Sequence, residues 1–261
     1  MHVQVLGSGS GGNAVLVRAG ELCLLVDAGL PIDVLEQRLE AARVPLHRLD
    51  AIALTHGHLD HARSAGLLAR KSGARVFCST AMMSNASVRA AKTFHALTVG
   101  GTCEVHARLG QDVARLTSIV LPHDADPTVA FRVEHQGRVA AVCTDMGAPD
   151  ASVGAALAGA QLLLLEFNHD AGMLASGPYT PALKRRIAGP RGHLSNAQAA
   201  ALLRLAAGPA LSTLVLAHLS ATNNRPELAR AAAESVLAEL GLAGVNVLVA
   251  EQDRVGPSLE V

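Results

Sequence analysis

Short apolar runs separated by glycine, serine and asparagine open the chain. HVQVL, AVLVRA and LCLLVDAG are β-branched or apolar segments of strand length, and the small residues between them predict tight turns. Pro31 then opens IDVLEQRLEAARV, where Ile32, Leu35 and Leu39 recur at three- and four-residue spacing, which predicts a helix with one buried face. LDAIALTH reads as a buried strand ending in a histidine-rich loop. A helix is expected from about Leu59 to Lys71, and RVFCS as the next strand. In the second half, RLTSIVLPH, TVAFRVEHQ and RVAAVCTD read as strands, the last two joined at Gly137. AQLLLLEF and TLVLAH are fully apolar strand candidates, and Ser195 to Ala207 and Pro226 to Leu240 read as helices.

Strands and helices are mixed rather than strictly alternating. The expected class is α/β, with two stacked sheets flanked by helices (an αββα sandwich) rather than one doubly wound parallel sheet. No linker, charge block or low-complexity segment divides the chain, so residues 1–261 are expected to form a single domain.

Composition narrows the function. Half of the residues are hydrophobic but only 2% are aromatic, so a platform of stacked bases and rings is not expected. Lys+Arg and Asp+Glu stand at 22 each, so an anionic substrate must be held by a local patch or by metals. Cys23, Cys78, Cys103 and Cys143 form no CxxC pair and are expected to be free thiols in a reducing compartment. No secretory signal and no apolar run of about 20 residues is present, and the expected location is the cytoplasm, with no membrane partner.

The unusual residues fall at predicted strand ends: Asp27, His56, His123, Asp145, Glu166 and His218. Side chains so placed reach a common rim, which is how a site is assembled from distant sequence. THGHLDH sets His56, His58, Asp60 and His61 in one short window after an apolar strand. Imidazole and carboxylate together suit zinc, manganese or iron. His123, Asp145 and His218 are the further ligands such a centre needs, with Asp145 as the carboxylate suited to bridging two cations about 3.5–4 Å apart. Asp27 is read as orienting a metal-binding histidine rather than binding metal itself.

These residues resemble the metallo-β-lactamase fold family. The likeness runs through SGSGGN at 8–13, VDAG at 26–29, THGHLDH at 55–61, PHD at 122–124, TDMG at 144–147 and AHLS at 217–220. It implies two sheets between helices and two metals: one held by His56, His58 and His123, the other by Asp60, His61 and His218, with Asp145 bridging. LEFNHD at 165–170, GPY at 177–179, LKRRI at 183–187 and GHLSN at 192–196 are similar to the YycJ (WalJ)-type branch of exonucleases. The same late motifs resemble the tRNA 3′-processing endonucleases, in which a glutamate after an apolar strand pairs with a catalytic histidine; here these are Glu166 and His193.

The chemistry leads to the same class. Two cations lower the pKa of a bridging water, giving hydroxide as nucleophile near neutral pH, and neutralise phosphate oxygens. The leaving oxygen still needs a proton, which His193, paired with Glu166, is expected to donate; the other reading of His193 is a cap on the helix starting near Ser195. Lys184, Arg185, Arg186 and Arg191 are read as a phosphate grip, or else as a solvated helix face. Asn13, His169 and Tyr179 are candidate substrate contacts beside local structural roles. The expected function is a dinuclear-metal phosphodiesterase on single-stranded DNA or RNA, with Asp60 in its catalytic set. The alternatives are a hydrolase of small thioesters, lactones or cyclic nucleotides, and a non-catalytic binding protein.

Overall fold

The computed structural model describes residues 1–125 and 127–261. Its strands form two seven-stranded mixed sheets. The first contains β1 (His2–Gly7), β2 (Ala14–Ala19), β3 (Leu22–Val26), β4 (Ala51–Ala53), β5 (Arg75–Cys78), β6 (Phe94–Ala96) and β14 (Leu259–Glu260), in the order β14-β1-β2-β3-β4-β5-β6. The second contains β7 (Thr102–His106), β8 (Val113–Leu121), β9 (Thr128–His135), β10 (Arg138–Cys143), β11 (Leu162–Glu166), β12 (Thr213–Ala217) and β13 (Asn246–Val249), in the order β13-β12-β11-β10-β9-β8-β7. The helices are α1 (Ile32–Ala41), α2 (Leu59–Ala62), α3 (Ala65–Ser72), α4 (Ala151–Leu157), α5 (Ala171–Ser176), α6 (Pro181–Ile187), α7 (Asn196–Ala206) and α8 (Pro226–Glu239).

The chain divides into two compact units: residues 1–118, 133–138 and 251–261 form one, residues 119–132 and 139–250 the other. In the first unit β1, β2 and β3 are antiparallel, and β3 through β6 continue in parallel. LCLLV of β3 is wholly buried, as a strand covered on both faces must be. Leu35 and Leu39 of α1 enter the same core as Leu6, Leu16, Leu25 and Ile52. The expected helix from Leu59 to Lys71 is instead two, α2 and α3. The Ser64 hydroxyl donates to the Leu30 carbonyl at 2.7 Å and its N–H to the Ala28 carbonyl, which takes the backbone out of the helical ladder.

In the second unit β10 to β13 are parallel, with Ala140 opposite Leu162 and Leu162 opposite Thr213. The LLLLE and TLVLA strands are buried throughout, and α4, α7 and α8 pack into their core through Leu157, Leu202, Leu203 and Val236. Local chemistry starts each helix. Ser195 and Gln198 make a capping box at α7, Asp150 and Asp170 cap α4 and α5, and Pro181 and Pro226 open α6 and α8.

Candidate metal and proton-transfer residues

In the first unit, Asp27 directly follows β3, and His56, His58, Asp60 and His61 follow β4 and run into α2. Asp27 is 2% exposed and organises the loop. Its carboxylate accepts the Thr55 N–H at 2.8 Å, lies 3.0 and 2.9 Å from the Thr55 hydroxyl, and is 2.7 Å from His61 Nδ1. A carboxylate has no proton to give, so His61 Nδ1 is the donor and Nε2 carries the ring's lone pair. The Thr55 hydroxyl is 3.1 Å from His56 Nδ1. The His56 ring centroid is 4.7 Å from that of His58 and 4.2 Å from that of His61, and Asp60 Oδ2 is 3.6 Å from His61 Nε2. Imidazoles this close and this buried repel as cations but suit a shared cation as neutral ligands, so the donor set fits a divalent metal.

The loop is built by close approach. A Cβ on Gly29 would lie 1.7 Å from the Asp60 carbonyl oxygen, so only glycine allows the VDAG turn to press against the ligand loop. Asn13 is bonded within the loop. It is buried, its side-chain oxygen accepts the Ser8 hydroxyl and the Gly9 N–H at 3.0 Å each, and its amide nitrogen is 3.1 Å from His61 Nε2. It holds His61 from inside the glycine-rich turn.

In the second unit, His123 follows β8, Asp145 follows β10, Glu166 ends β11 and His218 follows β12. Ligand-capable atoms of Asp145, Glu166, His193 and His218 all lie within 4.8 Å of one another. Glu166 is fully buried and its Oε1 lies 2.8 Å from His193 Nδ1 and 3.1 Å from His218 Nδ1. Its Oε2 accepts the N–H groups of Met146 at 3.0 Å and Leu194 at 3.2 Å. Burial disfavours its charged form, but the His193 charge and the histidine hydrogen bonds outweigh that and hold the carboxyl below the usual range. Burial likewise opposes charge on His193, yet Glu166 and Asp145 raise it above the usual histidine range. His123 Nδ1 donates to the Gly192 carbonyl at 2.9 Å, and burial lowers its pKa against the Asp145 charge, which favours the neutral ring.

One pattern links His61, His123, His193 and His218. Each engages an oxygen acceptor through Nδ1, which fixes the tautomer with Nε2 on the far side of the ring, where at His61 the Asn13 amide also approaches it. Asp27, Asp145 and His218 share a second peculiarity: left-handed backbone, with φ of 61°, 63° and 56°. Non-glycine residues held there cost about 1–3 kcal/mol each and cluster at functional sites.

His193 does not cap α7. Ser195 does so, and His193 turns to Glu166 instead. A Cβ on Gly192 would meet the Arg186 and Ile187 carbonyl oxygens at 2.2 Å, so the tight turn ahead of His193 requires glycine. The basic stretch is largely engaged within its own unit. Lys184 Nζ donates to the Ala175 carbonyl at 2.6 Å, Arg186 Nε to Asp124 at 2.6 Å and Arg191 Nε to the His123 carbonyl at 2.8 Å, while Arg185, Arg186 and Arg191 are all exposed. Tyr179 is half-buried between α5 and α6. His169 is buried beside Asp170, and its Nδ1 has no hydrogen-bond partner among the described residues. Sequence reasoning passed over Thr55, which ties Asp27 to two histidines, and Asn168, whose amide donates to the His218 carbonyl at 3.0 Å. Their positions beside the candidate residues, Thr55 next to His56 and Asn168 next to His169, were the available signal.

A family model described as Beta-lactamase superfamily domain matches residues 23–219. The chain is 32% identical over 250 residues to Exodeoxyribonuclease YycJ of Bacillus anthracis, covering 92% of this chain and 90% of that protein. It is also 32% identical over 249 residues to Exodeoxyribonuclease WalJ of Streptococcus pneumoniae serotype 2, covering 93% and 90%. Among solved structures, the metallo-β-lactamase fold protein YhfI from Bacillus subtilis matches over 99% of each chain, with a TM-score of 0.72 and 22% identity, and so shares the fold. Two mixed sheets flanked by helices, strand-end histidines and carboxylates, and full-length likeness to these proteins converge: the chain is a hydrolase that belongs to the metallo-β-lactamase superfamily, in its YycJ/WalJ branch.

Proposed function

We propose that this hydrolase is a metal-dependent exonuclease of single-stranded DNA, with single-stranded RNA as the alternative polymer. The observation that carries the reading is the Glu166–His193 pair at 2.8 Å, since a phosphodiesterase needs a proton donor for its leaving oxygen. The names of the relatives, both exodeoxyribonucleases, favour DNA.

His56, His58, Asp60 and His61 of the first unit and His123, Asp145 and His218 of the second would supply the ligands for divalent ions, with zinc or manganese the leading candidates and iron a further one. Bound divalent cations supply Lewis-acid activation of water and charge neutralisation on a phosphate. The protein's own part is orientation. Asp27 fixes the His61 tautomer, Glu166 fixes His193 and His218, and the Gly192 carbonyl fixes His123. His193, 21% exposed, holds a proton at Nε2 for the departing oxygen. The two units act as one domain, in keeping with a single family model spanning residues 23–219. Four free cysteines fit a cytoplasmic setting, and no helix among the described residues is long and apolar enough to cross a membrane.

The test is digestion of end-labelled single-stranded DNA and RNA with Mn²⁺ or Zn²⁺ added. Stepwise shortening from one end is expected, with near-total loss in Asp60→Ala and His61→Ala proteins that keep their circular dichroism. Full activity in both variants defeats the reading. Turnover confined to small thioesters, lactones or cyclic nucleotides would replace it with the small-substrate hydrolase.

A further inference from the structure

In the basic stretch 184–191, Arg186 pairs with Asp124 while Lys184 and Arg191 donate to backbone carbonyls, and a second run of positive charge lies in the first unit. Residues 61–103, which run directly on from the ligand loop, contain no aspartate or glutamate. They carry Arg63, Arg70, Lys71, Arg75, Arg89 and Lys92 in a chain whose net charge is zero. Lys71 pairs with Glu36, but Arg63, Arg89 and Lys92 are exposed and have no acidic partner among the described residues.

The fold sets Arg63 and Arg89 beside the ligand loop, with Lys92 three residues further along the chain. The Asn85 amide donates to the Gly57 carbonyl at 3.1 Å, clasping the second half of the segment to the loop between His56 and His58. The Gly66 N–H donates to the Ser87 carbonyl at 2.8 Å, and a Cβ on Gly66 would lie 2.7 Å from the Ser87 and Val88 carbonyls, so 87–90 lies directly on the start of α3. Arg89 follows Asn85 by one turn, its N–H bonded to the Asn85 carbonyl, and Arg63 follows Leu59 in the same way. Leu59 sits among the ligands and is 62% exposed, the most exposed large apolar side chain described.

We infer that the surface formed by this acid-free segment of the first unit carries the backbone of a single nucleic-acid strand away from the His56–His61 loop, with Arg63, Arg89 and Lys92 on successive phosphates and Leu59 against a base. The inference rests on the nuclease reading for its choice of ligand. Charge complementarity supports it: the flanking segment is uniformly positive where the chain as a whole is neutral, and a polyphosphate is the ligand that uses several such charges at once.

The experiment is fluorescence anisotropy of a labelled oligothymidylate with the full chain in EDTA, so that binding is read without cleavage, between about 50 and 200 mM salt. The Arg63→Ala/Arg89→Ala/Lys92→Ala protein should bind about tenfold or more weakly, and its plot of log affinity against log salt should flatten by about 2, near 0.7 for each lost single-strand phosphate contact. Arg63→Lys/Arg89→Lys should keep the wild-type slope. Leu59→Ser should weaken binding and leave the slope alone. Were the triple variant to misfold, Arg89→Glu alone reads the same quantity from an exposed position. Wild-type affinity and slope in the charge-removed variants overturn the inference. Cleavage by the wild-type protein with metal is scored separately: salt-sensitive binding without cleavage defeats the nuclease reading and leaves the surface standing, while cleavage with unaltered binding in the variants defeats the surface alone.

Discussion

Asp27 is the residue on which the first ligand group turns. Three donors converge on its buried carboxylate: the Thr55 N–H, the Thr55 hydroxyl and His61 Nδ1. Asp27→Ala leaves them unsatisfied in a dry site, and a loss of about 3 kcal/mol is expected in urea unfolding of the metal-free protein. A change below about 0.5 kcal/mol would mean that the network carries no stability. Glu166 plays the matching part in the second unit, where burial lowers the His193 pKa and the carboxylate, with Asp145, more than offsets it. Because Glu166 raises the His193 pKa, the protonated ring persists to higher pH than it otherwise would. Glu166→Gln should therefore move the alkaline limb of the kcat profile to lower pH. A uniform drop in kcat with an unmoved limb would reduce Glu166 to a structural role.

At the scale of elements, the site depends on the turn at the end of each strand more than on the strands themselves. Asp145 and His218 come within two residues of their strand ends, and both are held at positive φ by the turns around them. His193 is aimed by a glycine turn on one side and the α7 capping box on the other. Ser195→Ala removes that cap and should cost about 1 kcal/mol, read as a lower urea midpoint with unchanged slope. An unchanged midpoint would show that tertiary packing alone holds the start of α7. The long helix expected after the ligand loop is broken for a related reason. Ser64 bonds to Leu30 and Ala28, partners distant in sequence, so periodicity alone could not reveal the break.

For the molecule as a whole, each unit has its own apolar core, and the thiols lie within or beside them. Burial pushes the Cys78 thiol up to about 11 and raises Cys143 further. Both should resist a disulfide reagent in the native protein near about pH 8 and react only on unfolding, while the partly exposed Cys103 reacts earlier. Rapid native-state labelling of Cys78 and Cys143 would show that the cores open readily.

What the sequence determined by itself was local or additive. Apolar runs marked the main strands, because burial writes itself into hydrophobicity; the edge strands β6, β13 and β14 and the helices α4 to α6 are too short for a period to stand out. THGHLDH announced a metal-binding loop because its donors are neighbours along the chain. Tertiary structure alone decided which partners those donors have: that Asp27 serves His61, that Asn13 turns inward, that Glu166 serves both His193 and His218, and that Arg186 pairs with Asp124 while Arg63, Arg89 and Lys92 have no acidic partner among the described residues. The reason is physical. A side chain's type is set by its codon, but its hydrogen-bond partner and its exposure are set by residues tens of positions away, which meet it only when the sheets form.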